Sequence, residues 1–403
     1  MKQNMKGKIT MRLIPLLLMS ALTAGRLGAW EMKLGTDLPS LDFHGFLSQG
    51  FLYSGDYNYL GESKRGSFNF TEMGLNVSFN PFPRTRIAAQ AFAYDVGRAG
   101  KYDAVLDYAL AEYTFNDYFG IRAGRIRRPQ GIYNDTQDVD LARTFVLLPQ
   151  GIYDARWRDF YVSLDGAEIF GAIPLSKAGS LSYAFYGGVI NPSENGGIAL
   201  QINDSLGSFG KFDSIDSANE FGGQLWWNTP FNGLRFGASG GFVSSLDFIT
   251  TIKTSGGSVA IYNRNDATFQ QYSAEYLWKA WTFQTELYLK DYYPKNAGVA
   301  DTHSAAWYVS AAYRFNKRFE AGAYYTEFYN DIHNRSGAGL AFPSDGYQKD
   351  AALALRFDLS DRWIFKVEGH YIRGTGLLQD SADNPARGGD GWFMIALKTT
   401  ISF

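Results

Sequence analysis

The last stretch of the chain, Gly391–Phe403, repeats with a period of two. Phe393, Ile395, Leu397, Thr399, Ile401 and Phe403 share one face; Met394, Ala396, Lys398, Thr400 and Ser402 share the other. Such alternation specifies an extended strand, because successive side chains leave it on opposite sides. The pattern recurs upstream. In Trp363–Tyr371, the face of Trp363, Phe365, Val367, Gly369 and Tyr371 opposes Ile364, Lys366, Glu368 and His370. In Trp281–Asp291, Phe283, Thr285, Leu287 and Leu289 oppose Gln284, Glu286, Tyr288 and Lys290. Each strand therefore pairs an apolar face with a face that carries charge. A soluble sandwich would also alternate, but aromatic residues need not gather at its strand ends. Here Trp278, Trp281, Phe315, Phe319, Trp363, Trp392 and Phe403 lie at or near them, as in the girdles of a barrel in lipid.

From residue 40 onward, runs of this kind number sixteen. Their fifteen connections alternate between two classes. Eight form one rim, at 54–66, 97–101, 128–159, 191–218, 244–267, 292–304, 330–350 and 372–390; all but the second are long. The other seven are short turns such as Asn116-Asp117, Lys279-Ala280 and Asn316-Lys317-Arg318. An even strand number, with long loops on one rim and short turns on the other, predicts an all-β fold: a 16-stranded antiparallel transmembrane β-barrel. Outside the N-terminus no apolar run reaches 18 residues, which argues against membrane-spanning helices but not against a barrel, where only alternate residues meet lipid. The chain has no cysteine, so the fold must stand without disulfides.

Residues 1–29 read as a secretory signal. Lys2, Lys6, Lys8 and Arg12 precede the apolar core Leu13–Leu22, and Leu27-Gly28-Ala29 offers an exit before Trp30. The expected mature part, 30–403, is then the barrel. Losing the signal's five basic residues takes the formal charge from −2 to −7, which argues against a nucleic-acid partner. Only residues 30–39 precede the first strand, which leaves no room for the plug of an energy-coupled transporter.

One connection is unusual. The stretch Arg125–Phe160 follows the fifth strand, carries many charges of both signs, and contains Pro-Gln-Gly-Ile-Tyr twice, at 129–133 and 149–153. A loop of this length calls for a function. It is expected to fold into the barrel lumen and narrow it, with the two repeats as hinges where the chain leaves and re-enters the wall. The expected constriction residues are Arg125, Arg127, Arg128, Asp135, Asp138, Asp140, Arg143, Arg156 and Arg158. Opposed charges across an opening select by field and diameter, and arginine supplies fixed donors that guide anions or pair with carboxylates. Arg125, Arg127 and Arg128 are the leading candidates for pore-facing charge. Strand parity adds Glu286, Lys290, Arg314, Arg356, Lys366, Glu368 and Lys398 as lumen-wall residues.

No catalytic, cofactor or metal constellation stands out. His44, His303, His333 and His370 share no ligand spacing, and Asp135, Asp138 and Asp140 lack the full calcium-loop pattern.

Leu397-Lys398-Thr399-Thr400-Ile401-Ser402-Phe403 resembles the C-terminal signature of bacterial outer-membrane proteins. His44-Gly45-Phe46-Leu47-Ser48-Gln49-Gly50 and the stretch Arg122–Tyr133 resemble Gram-negative porin-like proteins, distantly the phosphate-selective group. The resemblance covers roughly residues 40–403. It implies an outer-membrane location, assembly machinery that reads the end at Phe403, a constriction loop after the fifth strand, and the trimeric arrangement common in the family. The lysine series of the phosphate porins is not evident. The expected function is passive diffusion of small hydrophilic solutes or ions, with no enzymatic step. The alternatives are a substrate-specific anion or sugar channel, and a non-conducting barrel whose long loops bind a surface or partner.

Overall fold

The computed structural model describes residues 30–33, 40–378, 384, 388 and 391–403. The expected signal, 1–29, lies outside the described residues. Sixteen antiparallel strands form one closed sheet. They are β1 Ser40–Ser54, β2 Phe70–Phe79, β3 Thr85–Val96, β4 Val105–Asn116, β5 Phe119–Arg127, β6 Ser163–Pro174, β7 Ser180–Ile190 and β8 Ala218–Asn228. There follow β9 Leu234–Ser244, β10 Asn265–Trp278, β11 Trp281–Pro294, β12 Thr302–Asn316, β13 Phe319–Tyr329, β14 Tyr347–Ser360, β15 Trp363–Gly374 and β16 Trp392–Ser402. Each pairs with its neighbours in sequence, and β1 closes on β16 from Phe46↔Ser402 to Ser54↔Met394. Closure removes every sheet edge, so each backbone group within the wall has a partner strand; hydrocarbon offers no other.

The faces follow the sequence parity. Outward side chains are large, apolar and uncovered: Phe393 is 67% exposed, Leu353 61% and Phe221 62%. Inward ones include Glu220, Lys366 and Glu368, all buried. An aromatic girdle marks the short-turn rim, where Phe315 stacks on Phe319 at 5.1 Å and Trp281 meets Tyr313 at 4.8 Å. Trp392 is a correction: it is buried beneath Tyr57 and Tyr59 and is not part of a girdle. Phe403 seats its ring over Gly45, where a Cβ would lie 2.4 Å from the ring Cζ; only glycine leaves that space.

Two long connections are more ordered than expected. Those expected at 191–218 and 244–267 contribute helix Gly197–Leu206 and three strands, Gly210–Ile215, Phe248–Thr254 and Gly257–Asn263. The strands form a small separate sheet. A short strand, Trp30–Lys33, also pairs with the start of β1.

Candidate functional site: the segment after the fifth strand

Residues 128–162 connect β5 to β6. A chain this long, folded without continuous secondary structure, must find partners for its backbone polar groups. It finds them on the charged face of the wall. The carboxylate of Glu286 on β11 accepts from five donors: Ile132 N (2.9 Å), Gln271 Nε2 (2.8 Å), Ser273 Oγ (2.6 Å), Tyr153 OH (2.6 Å) and Tyr308 OH (3.0 Å). Glu368 on β15 accepts from the consecutive amides of Val146 (2.7 Å) and Leu147 (3.0 Å). Glu220 on β8 holds Arg128, with both oxygens within 3.1 Å of one guanidinium nitrogen.

The remaining anchors are cationic. Lys366 on β15 donates to the Asp140 carbonyl (2.8 Å), its carboxylate (2.9 Å) and the Phe145 carbonyl (3.1 Å). Arg356 on β14 donates to the carbonyls of Leu141 (2.7 Å) and Arg143 (3.0 Å). Thr400 donates to Asp140 (2.6 Å), and Lys398 stands 3.6 Å from it. Lys290 contacts Tyr161 OH at 3.4 Å and lies over the Trp157 ring. Arg314 is a wall brace, paired with Asp358 and Glu320 at 2.5 and 2.6 Å. Wall strands β8, β11 and β14–β16 thus all grip the segment. Its middle is also apolar: Val146 and Leu147 are buried in one cluster with Tyr57, Tyr59, Leu60 and Trp392.

The expected constriction residues divide by what they touch. Arg127 and Arg158 share the carboxylates of Asp107 and Asp138, with Arg158–Asp107 at 2.6 Å. Burial alone would raise the Asp138 carboxyl; Arg158 and Arg127 outweigh it and hold it well below the usual carboxylate range. Asp140 is held low in the same way, by Lys366, Lys398 and Arg143 against burial. Asp138 and Asp140 therefore serve two separate cation sets. Arg143 reaches Asp140 at 3.3 Å and the Gln137 carbonyl. Arg156 closes on its neighbour Asp154 and donates to the Leu377 carbonyl (3.0 Å), tying the segment to the connection after β15.

Arg125 is the exception. It lies on the opposite face from buried Ile126, pairs with half-exposed Asp165 at 3.2 Å, and donates to the Leu106 carbonyl. The expectation that it faces the pore is corrected. Arg128 is buried against Glu220, so it is an internal anchor and not an accessible pore charge. Pairing between β4 and β5 ends at Ala109 and Arg125; beyond that point Arg127 reaches Asp107.

The two Pro-Gln-Gly-Ile-Tyr copies are not separate hinges. They meet each other: Tyr133 and Tyr153 pack edge to face at 5.7 Å, and Tyr153 OH accepts from the amides of Ile132 (3.1 Å) and Tyr133 (3.2 Å). Gly131 makes this approach feasible. Its φ is +58°, and a Cβ there would stand 2.1 Å from Gln271 Nε2. The neck of the segment is closed by Asn134, whose amide donates to the Arg128 carbonyl (2.6 Å) and the Tyr161 carbonyl (3.1 Å).

On the other side of the segment a cavity of about 580 Å³ runs against β1–β5 and the end of β16. Its charged lining is His44, Arg86, Arg122, Arg127 and Arg362 with Asp135, Asp138 and Asp140. Sequence reasoning missed Arg86, Arg122, Arg362, Asp107 and Glu220. Parity within the expected strands carried the signal for Glu220. Asp107 sits at a register shift between β3 and β4, where parity fails.

Structures with this architecture are known. One is OmpT of Vibrio cholerae, expressed in the outer membrane: 10% identity, 92% of this chain, all of that chain, TM-score 0.59. Another is an anion-selective porin from Comamonas acidovorans, at 12% identity over 91% of this chain and all of that one, TM-score 0.57. A third is Salmonella typhi OmpF in complex with daunomycin, at 14% over 93% and 100%, TM-score 0.55. The fold is that of bacterial outer-membrane porins. No family model and no curated protein sequence matches the chain.

Proposed function

We propose that the protein is an outer-membrane channel through which small hydrophilic solutes and ions diffuse, and that segment 128–162 sets its bore. One observation carries this reading. The segment is gripped by the wall from β8 round to β16 and is tied through Arg158 and Asp138 to Asp107 on β4 and Gln90 on β3, while a polar, charge-lined cavity is left beside it along β1–β5. A narrow opening with fixed charges on both sides selects by size and field. Passage involves no covalent step, so no catalytic group is called for. In the same reading residues 1–29 are removed on export, the alternating β16 with Phe403 is the end that assembly machinery engages, and the apolar outer band faces lipid, with trimer formation as the arrangement to test.

Purified protein incorporated into planar bilayers is expected to give discrete conductance steps. A correctly folded barrel that inserts and gives none would refute the channel, and favour a barrel whose loops bind a partner.

A further inference from the structure

The cavity beside the segment carries an excess of cation once internal pairs are set aside. Arg127 is neutralised by Asp107 and Asp138. Arg122 pairs with two carboxylates, Glu112 at 3.0 Å and Glu168 at 3.5 Å; that surplus of one negative charge is offset where, among the described residues, Lys366, Arg143 and Lys398 meet only Asp140 and Glu72. Asp138 and Asp140 are each matched by cations of their own. His44 is neutral or cationic, never anionic. What is left is Asp135 on one side and, on the other, Arg86 and Arg362, both exposed and both without an ion pair among the described residues. Glu112 stands opposite Arg86 in the β3–β4 register, but its carboxylate turns to Arg122. Asp361, beside Arg362 in the chain, is not part of the lining.

A paired charge acts on a passing ion only as a dipole, whose field fades quickly. An unpaired guanidinium in a cleft with low-dielectric walls acts with its full charge and raises the local concentration of counter-ions. We propose that the channel prefers small anions (chloride, phosphate, small carboxylates), and that Arg86 and Arg362 set this preference, not the arginines of the long segment. The proposal rests on the channel reading above. The preference weakens as salt rises, because exposed charges are screened over about 8 Å at physiological ionic strength.

The test is the reversal potential in a potassium chloride gradient across a planar bilayer, for the wild type, Arg86→Gln/Arg362→Gln, Arg86→Lys/Arg362→Lys and Arg125→Gln. The wild type is expected to be anion-selective. The glutamine pair shifts the potential toward cations; the lysine pair and Arg125→Gln hold the wild-type sign. Neither arginine braces another side chain, so the glutamine pair is expected to fold, and the lysine pair checks this independently. A conducting wild type with a potential at zero or on the cation side overturns the proposal and leaves the channel intact. So does a glutamine pair with unchanged selectivity. Absence of any conductance overturns the channel reading itself.

Discussion

Replacing Glu286 with alanine is expected to release segment 128–162 from the wall. Five donors converge on that carboxylate, and four of them belong to buried side chains: Tyr153, Tyr308, Gln271 and Ser273. A buried donor left without an acceptor costs roughly 1–3 kcal/mol. Re-pairing recovers part of this, since Gln271 and Tyr153 already contact each other at 3.1 Å, but a loss of several kcal/mol is expected. Both Pro-Gln-Gly-Ile-Tyr copies meet at this point, so the loss falls on the segment and not on the strand ladder. Limited proteolysis of the detergent-solubilised protein should cut Glu286→Ala within 128–162 while the barrel fragments persist. Glu286→Gln, which keeps one acceptor, should be intermediate. A Glu286→Ala protein as resistant as the wild type would contradict the anchoring described.

The second large effect is expected at Lys366. Its ammonium group is fully buried and holds Asp140 and the Phe145 carbonyl. Lys366→Met leaves Asp140 to Arg143 at 3.3 Å and Lys398 at 3.6 Å. Removing one partner of a buried pair costs about 3–5 kcal/mol where the other charge is left uncompensated; Arg143 and Lys398 still compensate Asp140 in part, so a smaller loss is expected here. Adding Asp140→Asn removes that charge, so the double variant should be more stable than Lys366→Met alone. The measurement is thermal unfolding of the folded barrel in detergent for the wild type, both single variants and the double. If the two losses simply add, Lys366 and Asp140 are not coupled and the pair has no role in holding the segment.

Much of this fold could be read from the chain because a barrel wall writes its geometry into the sequence twice. Parity tells inside from outside, and the alternation of long and short connections tells one rim from the other. Parity alone puts Glu286, Arg356, Lys366 and Glu368 on the charged face of their strands, and all four side chains are buried. Trp392 shows the limit. Its place at a strand end suggests a girdle, but it shares the inward parity of Met394 and Ala396, and loop 55–69 packs over it. Arg125 shows another. Gly124 takes φ +121° and pairing with β4 ends one residue later, although pairing with β6 runs on to Arg127, so proximity to Arg127 and Arg128 in the chain does not say which way each points. The pairing of the two sequence repeats across Tyr133 and Tyr153 had no local signal, since it depends on a long-range meeting at Glu286. Which arginines keep a free charge is likewise a property of three-dimensional pairing. Arg86 and Arg362 look unremarkable in sequence because they sit beside short turns, away from the charged segment.

Single-channel conductance addresses the role of segment 128–162 most directly. The comparison is between the wild type and a variant in which residues 135–156 are replaced by a flexible Gly/Ser linker of about six residues, which spans roughly 20 Å at most when extended. Asn134 already lies against the Tyr161 carbonyl, so the two cut ends are close and the strands need not move. A constriction formed by this segment predicts a several-fold larger conductance and passage of larger solutes in the shortened variant, with the sixteen-strand barrel intact. Equal conductance and an equal size limit in the two proteins would show that the bore is set elsewhere, and would contradict the account.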